Sequence, residues 1–359
     1  MKNLIIINQF QFFYNIATYY YCKYLKDNFD ILYICWDHGL PKIELAGVRV
    51  VYVSRKGNML VRSLRFLRHA LKQINDDKRA IVFIKYFKGV SLSLRLLKPR
   101  HCFVLDIRTG SVHKNRLIRR FHDARLKLEA AFFKHVTVIS ESLAERLALT
   151  HKAHILPLGA EVISSTDKTF AGLHLLYVGT LFNRNMETTI HGFKQFYDEF
   201  QNQAPISYTI IGSGPNNEEH ALKNLVAQYG LDKIVNTTGN IRHDLLKPFF
   251  DITNVGVSYV PLTDYYDVQP VTKTFEYFLS GMPVVATDTS ENRKVVNQER
   301  GVLIGEAAED FSAGLKAIFA EKNMFNSAKI RNAGMGYTWE KIVQSNLKPY
   351  LAGIIPEKH

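Results

Sequence analysis

One pattern recurs along the whole of this chain: short, continuous apolar runs separated by stretches of helical periodicity. In the first half the runs are Leu4-Ile5-Ile6-Ile7, Ile31-Leu32-Tyr33-Ile34, residues 48–53, Ile81-Val82-Phe83-Ile84, Phe103-Val104-Leu105 and Val136-Thr137-Val138-Ile139. In the second half they are Leu175-Leu176-Tyr177-Val178, Tyr208-Thr209-Ile210-Ile211, Val255-Gly256-Val257-Ser258 and Pro283-Val284-Val285-Ala286. Unbroken apolar runs belong to strands covered on both faces, and the helices between them supply the cover as crossovers. Two doubly wound α/β units in series follow from this pattern.

A length of 359 residues with 47% apolar and 22% charged residues supplies two cores and excludes a disordered chain. Cys22, Cys35 and Cys102 are too few for a disulfide framework and suit a reducing compartment, so a cytoplasmic location is expected. The opening apolar run meets Asn8 and Gln9 long before the roughly 20 residues of a membrane span, and it is too short for a secretory signal.

The net charge of +13 is unevenly placed. Residues 1–160 hold 28 Lys or Arg against 11 Asp or Glu, and residues 161–359 hold 18 against 22, giving +17 and −4. That asymmetry predicts a polyanionic partner for the first half alone. Residues 61–72 carry Arg62, Arg65, Arg68 and Lys72 opposite Leu60, Leu64, Leu67 and Leu71, and residues 114–127 include Arg116, Arg119, Arg120 and Arg125. The expectation is a leucine stripe buried beneath an outward cationic face at an anionic membrane surface. A nucleic-acid partner would account for the basic balance but not for the acidic second half, so it ranks last and none is expected.

The seam is expected across residues 159–172, where Ser164, Ser165, Thr166 and Asp167 interrupt the periodicity. The expected division is therefore 1–158, a linker at 159–172, 173–335, and a last helix at 336–359 with Trp339, Ile342, Val343, Leu347 and Tyr350 near one face.

Chemistry concentrates in residues 267–286. Pro270 is expected to open a helix that Gly281 and Pro283 close before a buried strand. On it, Val271, Phe275, Phe278 and Leu279 form a buried stripe, with Lys273, Glu276 and Ser280 on another face. A Lys273–Glu276 surface pair would contribute only about 0.2–0.5 kcal/mol, and a lysine in the first turn opposes the helix dipole. A bound phosphate resolves that conflict. A second anion-directed element follows the run at 175–178: Gly179 permits a close turn, Arg184 supplies a fork of donors, and a helix begins near Asn185. Two further glycine turns, Gly212-Ser213-Gly214 and Thr238-Gly239-Asn240-Ile241, follow strands but lack dinucleotide or P-loop spacing. In the first half, Asp106-Ile107-Arg108 follows the strand 103–105, at the edge that faces ligand in doubly wound sheets, with His113 nearby. Asp106 and Arg108 are equally readable as a paired loop.

Taken together, residues 177–181, 210–215, 238–241, 270–286 and Tyr337-Thr338-Trp339 resemble the C-terminal half of glycosyltransferase family 4 (glycosyl transferases group 1). The resemblance implies a GT-B fold, an α/β arrangement of two Rossmann-like domains facing across a cleft, with the last helix crossing back to the first domain. It implies a retaining transferase that moves a sugar from a UDP- or GDP-linked donor to a carbohydrate or polyprenyl-diphosphate-linked acceptor in bacterial surface polysaccharide synthesis. Such an enzyme would work on the cytoplasmic face of the inner membrane. Arg184 and Lys273 would then hold the diphosphate with Gly179, Gly212 and Thr272 beside it, Glu276 the ribose, and Gly239, Asn240 and Ile241 the base, while Asp106 and His113 would serve the acceptor side. No metal is expected, since an Asp-x-Asp triplet, an HExxH motif and paired CxxC motifs are all absent from the sequence. The chain departs from the pattern in two places: Val268 stands eight before Glu276 where a second glutamate is usual, between Asp267 and Gln269, and Thr180 stands where an arginine is usual. Those departures leave open a catalytically silent GT-B subunit, or a GT-B epimerase.

Overall fold

The computed structural model describes residues 2–76 and 79–354 and divides into two compact units. Unit 1 comprises Met1–Leu158 and Trp339–His359, and unit 2 comprises Gly159–Thr338. Residues 159–172, read from sequence as a linker, belong to unit 2. Ser164 donates to Asp251 at 2.6 Å, and Lys168 donates to the carbonyl of Phe250. Asn254 holds the carbonyls of Thr169 and Gly172 at 2.7 and 2.8 Å.

Unit 1 runs β1 (Lys2–Ile7), α1 (Ile16–Leu25), β2 (Phe29–Asp37), β3 (Val48–Ser54), α2 (Met59–Asp76), β4 (Ile81–Lys85), α3 (Val90–Leu97), β5 (Cys102–Ile107), α4 (Arg116–Ala131), β6 (His135–Val138), α5 (Glu141–Arg146) and β7 (Ala153–Ile155). Its sheet is parallel throughout, in the order β3-β2-β1-β4-β5-β6-β7. The apolar runs lie at its centre: Leu4, Ile5, Ile6 and Ile7 of β1 and Ile81, Val82, Phe83 and Ile84 of β4 are all buried.

Unit 2 runs β8 (Leu173–Val178), α6 (Met186–Phe200), β9 (Ile206–Ile211), α7 (Glu218–Gln228), β10 (Val235–Gly239), α8 (Lys247–Ile252), β11 (Val255–Ser258), α9 (Thr272–Leu279), β12 (Val284–Thr287), α10 (Ser290–Arg293), β13 (Gly301–Ile304), α11 (Ala308–Ala320) and α12 (Ser327–Gly334). The order of its parallel sheet, β10-β9-β8-β11-β12-β13, reproduces the winding of unit 1. The chain then returns to unit 1 through α13 (Trp339–Ile342), a π-helical turn at 343–347 and α14 (Lys348–Gly353). Trp339 is buried there, stacked on Tyr20 and edge-on to Tyr21, each at 5.8 Å between ring centres. Residues 355–359 of the expected last helix lie outside the described residues.

Strands β7, β10 and β13 were not evident as apolar runs, because each is short and only partly buried. The larger correction concerns the basic helices. On α2 the buried side is formed by Phe66, Ala70 and Ile74, while Leu60 and Leu64 are 71% and 66% exposed. On α4, Leu126 and Ala130 face inward, and Leu117, Phe121 and Leu128 face solvent. Periodicity located a stripe on each helix but did not say which of two apolar stripes the sheet would take.

Candidate active site

In a doubly wound sheet, ligands bind outside the carboxyl ends of the strands where the winding direction reverses. In unit 2 that reversal lies between β8 and β11, so the ends of β8, β9 and β10 and the start of α9, which follows β11, converge there. Three glycines close those strand ends. The Gly179 N–H donates to Ile211, and the Gly212 N–H donates to Gly239. Gly179 has a φ of +150°, and a Cβ on it would lie 3.1 Å from Lys273 Nζ. A Cβ on Gly212 would come within 1.9 Å of the Gly179 carbonyl oxygen, so only bare backbone fits. Asn240 is exposed and Ile241 half-buried just beyond Gly239.

Helix α9 begins at Thr272, two residues after Pro270, with Val271 as a cap that offers no side-chain acceptor. Its first-turn amides are therefore left for another partner. The helix is buried on every side from Lys273 to Leu279, not amphipathic as the pattern suggested. Lys273 and Glu276 do not pair with each other. Lys273 Nζ is buried without a hydrogen-bond partner, 3.5 Å from the centre of the Tyr177 ring. Burial, and next the nearby Arg184 guanidinium, push its pKa far below the usual lysine range.

Arg184 reaches the same place from the loop after β8. Asn183 and Asn185 on either side of it both adopt left-handed backbone, with φ of 56° and 52°, a conformation asparagine tolerates. Its guanidinium lies 4.2 Å from the Tyr266 ring centre, and Nη1 is buried without a hydrogen-bond partner. A lysine and an arginine thus meet in a desolvated corner floored by glycine backbone, each disfavouring the other's charge until an anion joins them. A desolvated aromatic face gives a cation about 2 kcal/mol, whereas an uncompensated buried charge costs several. An anion with two acceptor groups balances this arrangement.

Glu276, one turn along, is 7% exposed, and its Oε1 accepts from His243 Nε2 at 3.0 Å. That hydrogen bond raises the His243 pKa above its ordinary value, against the opposing effect of burial. Asp267, beside Val268, has both carboxylate oxygens taken by Ser290, at 2.7 and 2.6 Å. Thr180 uses its carbonyl to accept from the Tyr177 hydroxyl at 2.7 Å.

In unit 1, Asp106 lies inside β5 instead of following it, because the strand extends to Ile107. It is fully buried: Oδ1 accepts from Thr137 at 2.8 Å, and Oδ2 has no hydrogen-bond partner. Burial raises its pKa, with Arg108 opposing. Lys85, its partner across the β4–β5 ladder, is held at about 8 by burial. Arg108 is spent on the carbonyls of Leu156 and Pro157, at 2.6 and 3.3 Å. His113 is exposed in a local turn, accepting from the Asn115 N–H at 3.0 Å, and no described hydrogen bond or ion pair joins it to Asp106.

The structure thus gathers Gly179, Arg184, Gly212, Gly239, Thr272, Lys273 and Glu276 in unit 2 and leaves Asp106 and His113 apart from each other in unit 1. Sequence reasoning missed Tyr177, Tyr266 and His243. Tyr177 had a signal, since it lies two residues before a strand-end glycine; Tyr266, in a turn, and His243, opening the 3-10 helix His243–Leu245, have none. Among the described residues, no cluster of three or more His, Cys, Asp or Glu is placed to hold a metal ion.

A search of the curated proteins found no match. Similar solved structures span nearly the whole chain. Sucrose-phosphate synthase from Thermosynechococcus elongatus has a TM-score of 0.75 at 15% identity, covering 98% of this chain and 99% of its own. Anabaena Alr3699/HepE in complex with UDP-glucose gives 0.75 at 11%, covering 99% and 100%. The lipopolysaccharide outer core galactosyltransferase WaaB, in apo form, gives 0.67 at 12%, covering 99% and 100%. Residues 172–321 match the family model described as Glycosyl transferases group 1. That match falls on unit 2 and takes in its glycine strand ends, Arg184, Lys273 and Glu276, while the similar solved structures share the GT-B fold over nearly the whole chain.

Proposed function

We propose that the chain transfers a hexosyl group, with retention of configuration, from a UDP- or GDP-linked sugar to a carbohydrate or lipid-linked acceptor in the building of a bacterial surface polysaccharide, at the cytoplasmic side of an anionic membrane. One observation carries the donor assignment: the buried, unpartnered Lys273 Nζ beside Arg184, at the uncapped start of α9. A diphosphate supplies the two acceptor groups this pocket needs, and a neutral or singly charged ligand does not. HepE, similar in fold, was solved with UDP-glucose, and WaaB is a lipopolysaccharide galactosyltransferase; both support the reading.

In the proposed step the bond from the anomeric carbon to the diphosphate oxygen breaks, and its electron pair stays on that oxygen. The acceptor hydroxyl oxygen bonds to the anomeric carbon and gives its proton to the departing phosphate. Lys273, Arg184 and the α9 amides stabilise the charge growing on the leaving group from fixed positions, so no reorganisation is required at that moment. Glu276 accepts from the ribose hydroxyls, and acceptor contacts fall to unit 1 near Asp106.

The test is turnover. Purified chain with UDP- and GDP-sugars is assayed for transfer or donor hydrolysis, and NMR gives the anomeric configuration of the product. Lys273→Ala and Glu276→Ala are expected to abolish activity in folded protein, and normal activity in both sinks the assignment. Nucleotide binding without turnover identifies a silent GT-B subunit, and an altered nucleotide sugar formed without acceptor identifies an epimerase.

A further inference from the structure

Three connections of unit 1, from β3 to β4, β4 to β5 and β5 to β6, all step across the sheet in one direction. Right-handed crossovers therefore place α2, α3 and α4 on a single face, and α2–α3 and α3–α4 are in contact. The outer surface of this helix layer is apolar to an unusual degree. Leu60 and Leu64 on α2 are 71% and 66% exposed, Leu97 on α3 is 56% exposed, and Leu117, Phe121 and Leu128 on α4 are 75%, 66% and 64% exposed. Leu117, Phe121 and Leu128 share one stripe of α4, at spacings of four and seven.

The charges between these side chains are of one sign. Arg68, Lys72, Arg116, Arg120 and Lys127 are exposed, and α2 holds no acidic residue between Met59 and Asn75. The two acids of α4 are turned away from solvent: Asp123 pairs with Arg146 at 2.7 Å, and Glu129, 2% exposed, pairs with Arg125 at 2.7 Å. A second copy of this face would bring cation against cation. A nucleic acid would satisfy the cations but leave isolated aliphatic side chains without a partner. Only a bilayer interface offers anionic headgroups over an acyl region at the depth of a side chain.

We infer that the outer face of α2, α3 and α4 seats on an anionic membrane, with Leu117 and Phe121 inserted below the headgroups and the arginines and lysines on the phosphates. No described helix is long and apolar enough to cross a membrane, so the attachment is interfacial. This deepens the membrane part of the reading above, and it replaces a purely electrostatic contact with insertion by named side chains. Its readout needs neither donor nor acceptor, so it stands or falls separately from the transferase assignment.

The experiment is sedimentation of the full chain with phosphatidylcholine vesicles, with and without phosphatidylglycerol. Wild type is expected to bind the anionic vesicles and to be released by salt. Leu117→Ser with Phe121→Ser is expected to weaken binding about tenfold or more, and Arg68→Glu with Arg120→Glu likewise. Because all four positions are exposed, folding is expected to be retained, which circular dichroism checks. Phe121→Trp is expected to shift its emission to the blue on vesicles and to escape aqueous iodide. Undiminished binding by the serine pair, an iodide-accessible Trp on bound vesicles, or self-association in place of vesicle binding overturns the inference.

Discussion

The His243 ring lies 3.0 Å from the Glu276 carboxylate, so a titrating base holds the carboxylate assigned to the ribose. Because His243 is raised above its ordinary 6.5, the folded state prefers the imidazolium. The stabilisation is complete below about pH 6.5 and is lost as pH rises through the raised value. His243→Gln is therefore expected to be destabilised relative to wild type at acid pH, with the gap closing on the alkaline side. Urea melts across that range measure it. Nucleotide affinity, by calorimetry, is expected to increase as wild-type His243 loses its proton and frees the carboxylate, and to lose that slope in the variant.

Lys273 Nζ is buried without a hydrogen-bond partner, where burial and Arg184 oppose its charged form, and so disfavours the empty fold. Replacing it with the similarly shaped Met is expected to stabilise the free protein by about 1–3 kcal/mol, as removal of a buried polar group without a hydrogen bond does. The same substitution is expected to erase the rise in melting temperature that UDP or GDP gives the wild type. Differential scanning fluorimetry with and without nucleotide reads both effects; a less stable variant with an intact nucleotide response would contradict the pocket's assignment.

Gly212→Ala drives a methyl group into the Gly179 carbonyl. The expected cost is about 1–3 kcal/mol of overpacking, together with a displaced β8 end and a donor KM several-fold higher. Steady-state kinetics and thermal melts give the two parts separately.

Trp339→Ala removes the ring held between Tyr20 and Tyr21 and is expected to cost about 3–5 kcal/mol in unit 1. Of the two tryptophans, Trp36 also lies in unit 1, so its fluorescence in a urea titration follows that unit alone.

The alternation of apolar runs and helical stretches made both sheets legible, because a strand buried on both faces has nowhere to place polar side chains. Gly179, Arg184 and Lys273 were legible for a related reason: each breaks a local rule, whether a glycine at a strand end, an arginine between two asparagines or a lysine at a helix start. Of the aromatic faces beside Lys273 and Arg184, Tyr177 was marked only by its place before Gly179, and Tyr266 was not legible, since no spacing relates it to Arg184. Nor was the inward side of α2, where Leu60 and Leu64 compete with Phe66 and Ala70 and only the neighbouring strands decide. Asp106 illustrates a boundary effect, since two more strand residues turn a loop carboxylate into a core one.

The chain leaves unit 1 after Leu158 and re-enters it at Trp339, while everything between builds unit 2. On the ribosome, the later-made domain is therefore the first able to finish. Tyr20 and Tyr21 must wait uncovered for a ring encoded more than three hundred codons downstream, so a message truncated between them and Trp339 yields a protein with an open aromatic wound in α1.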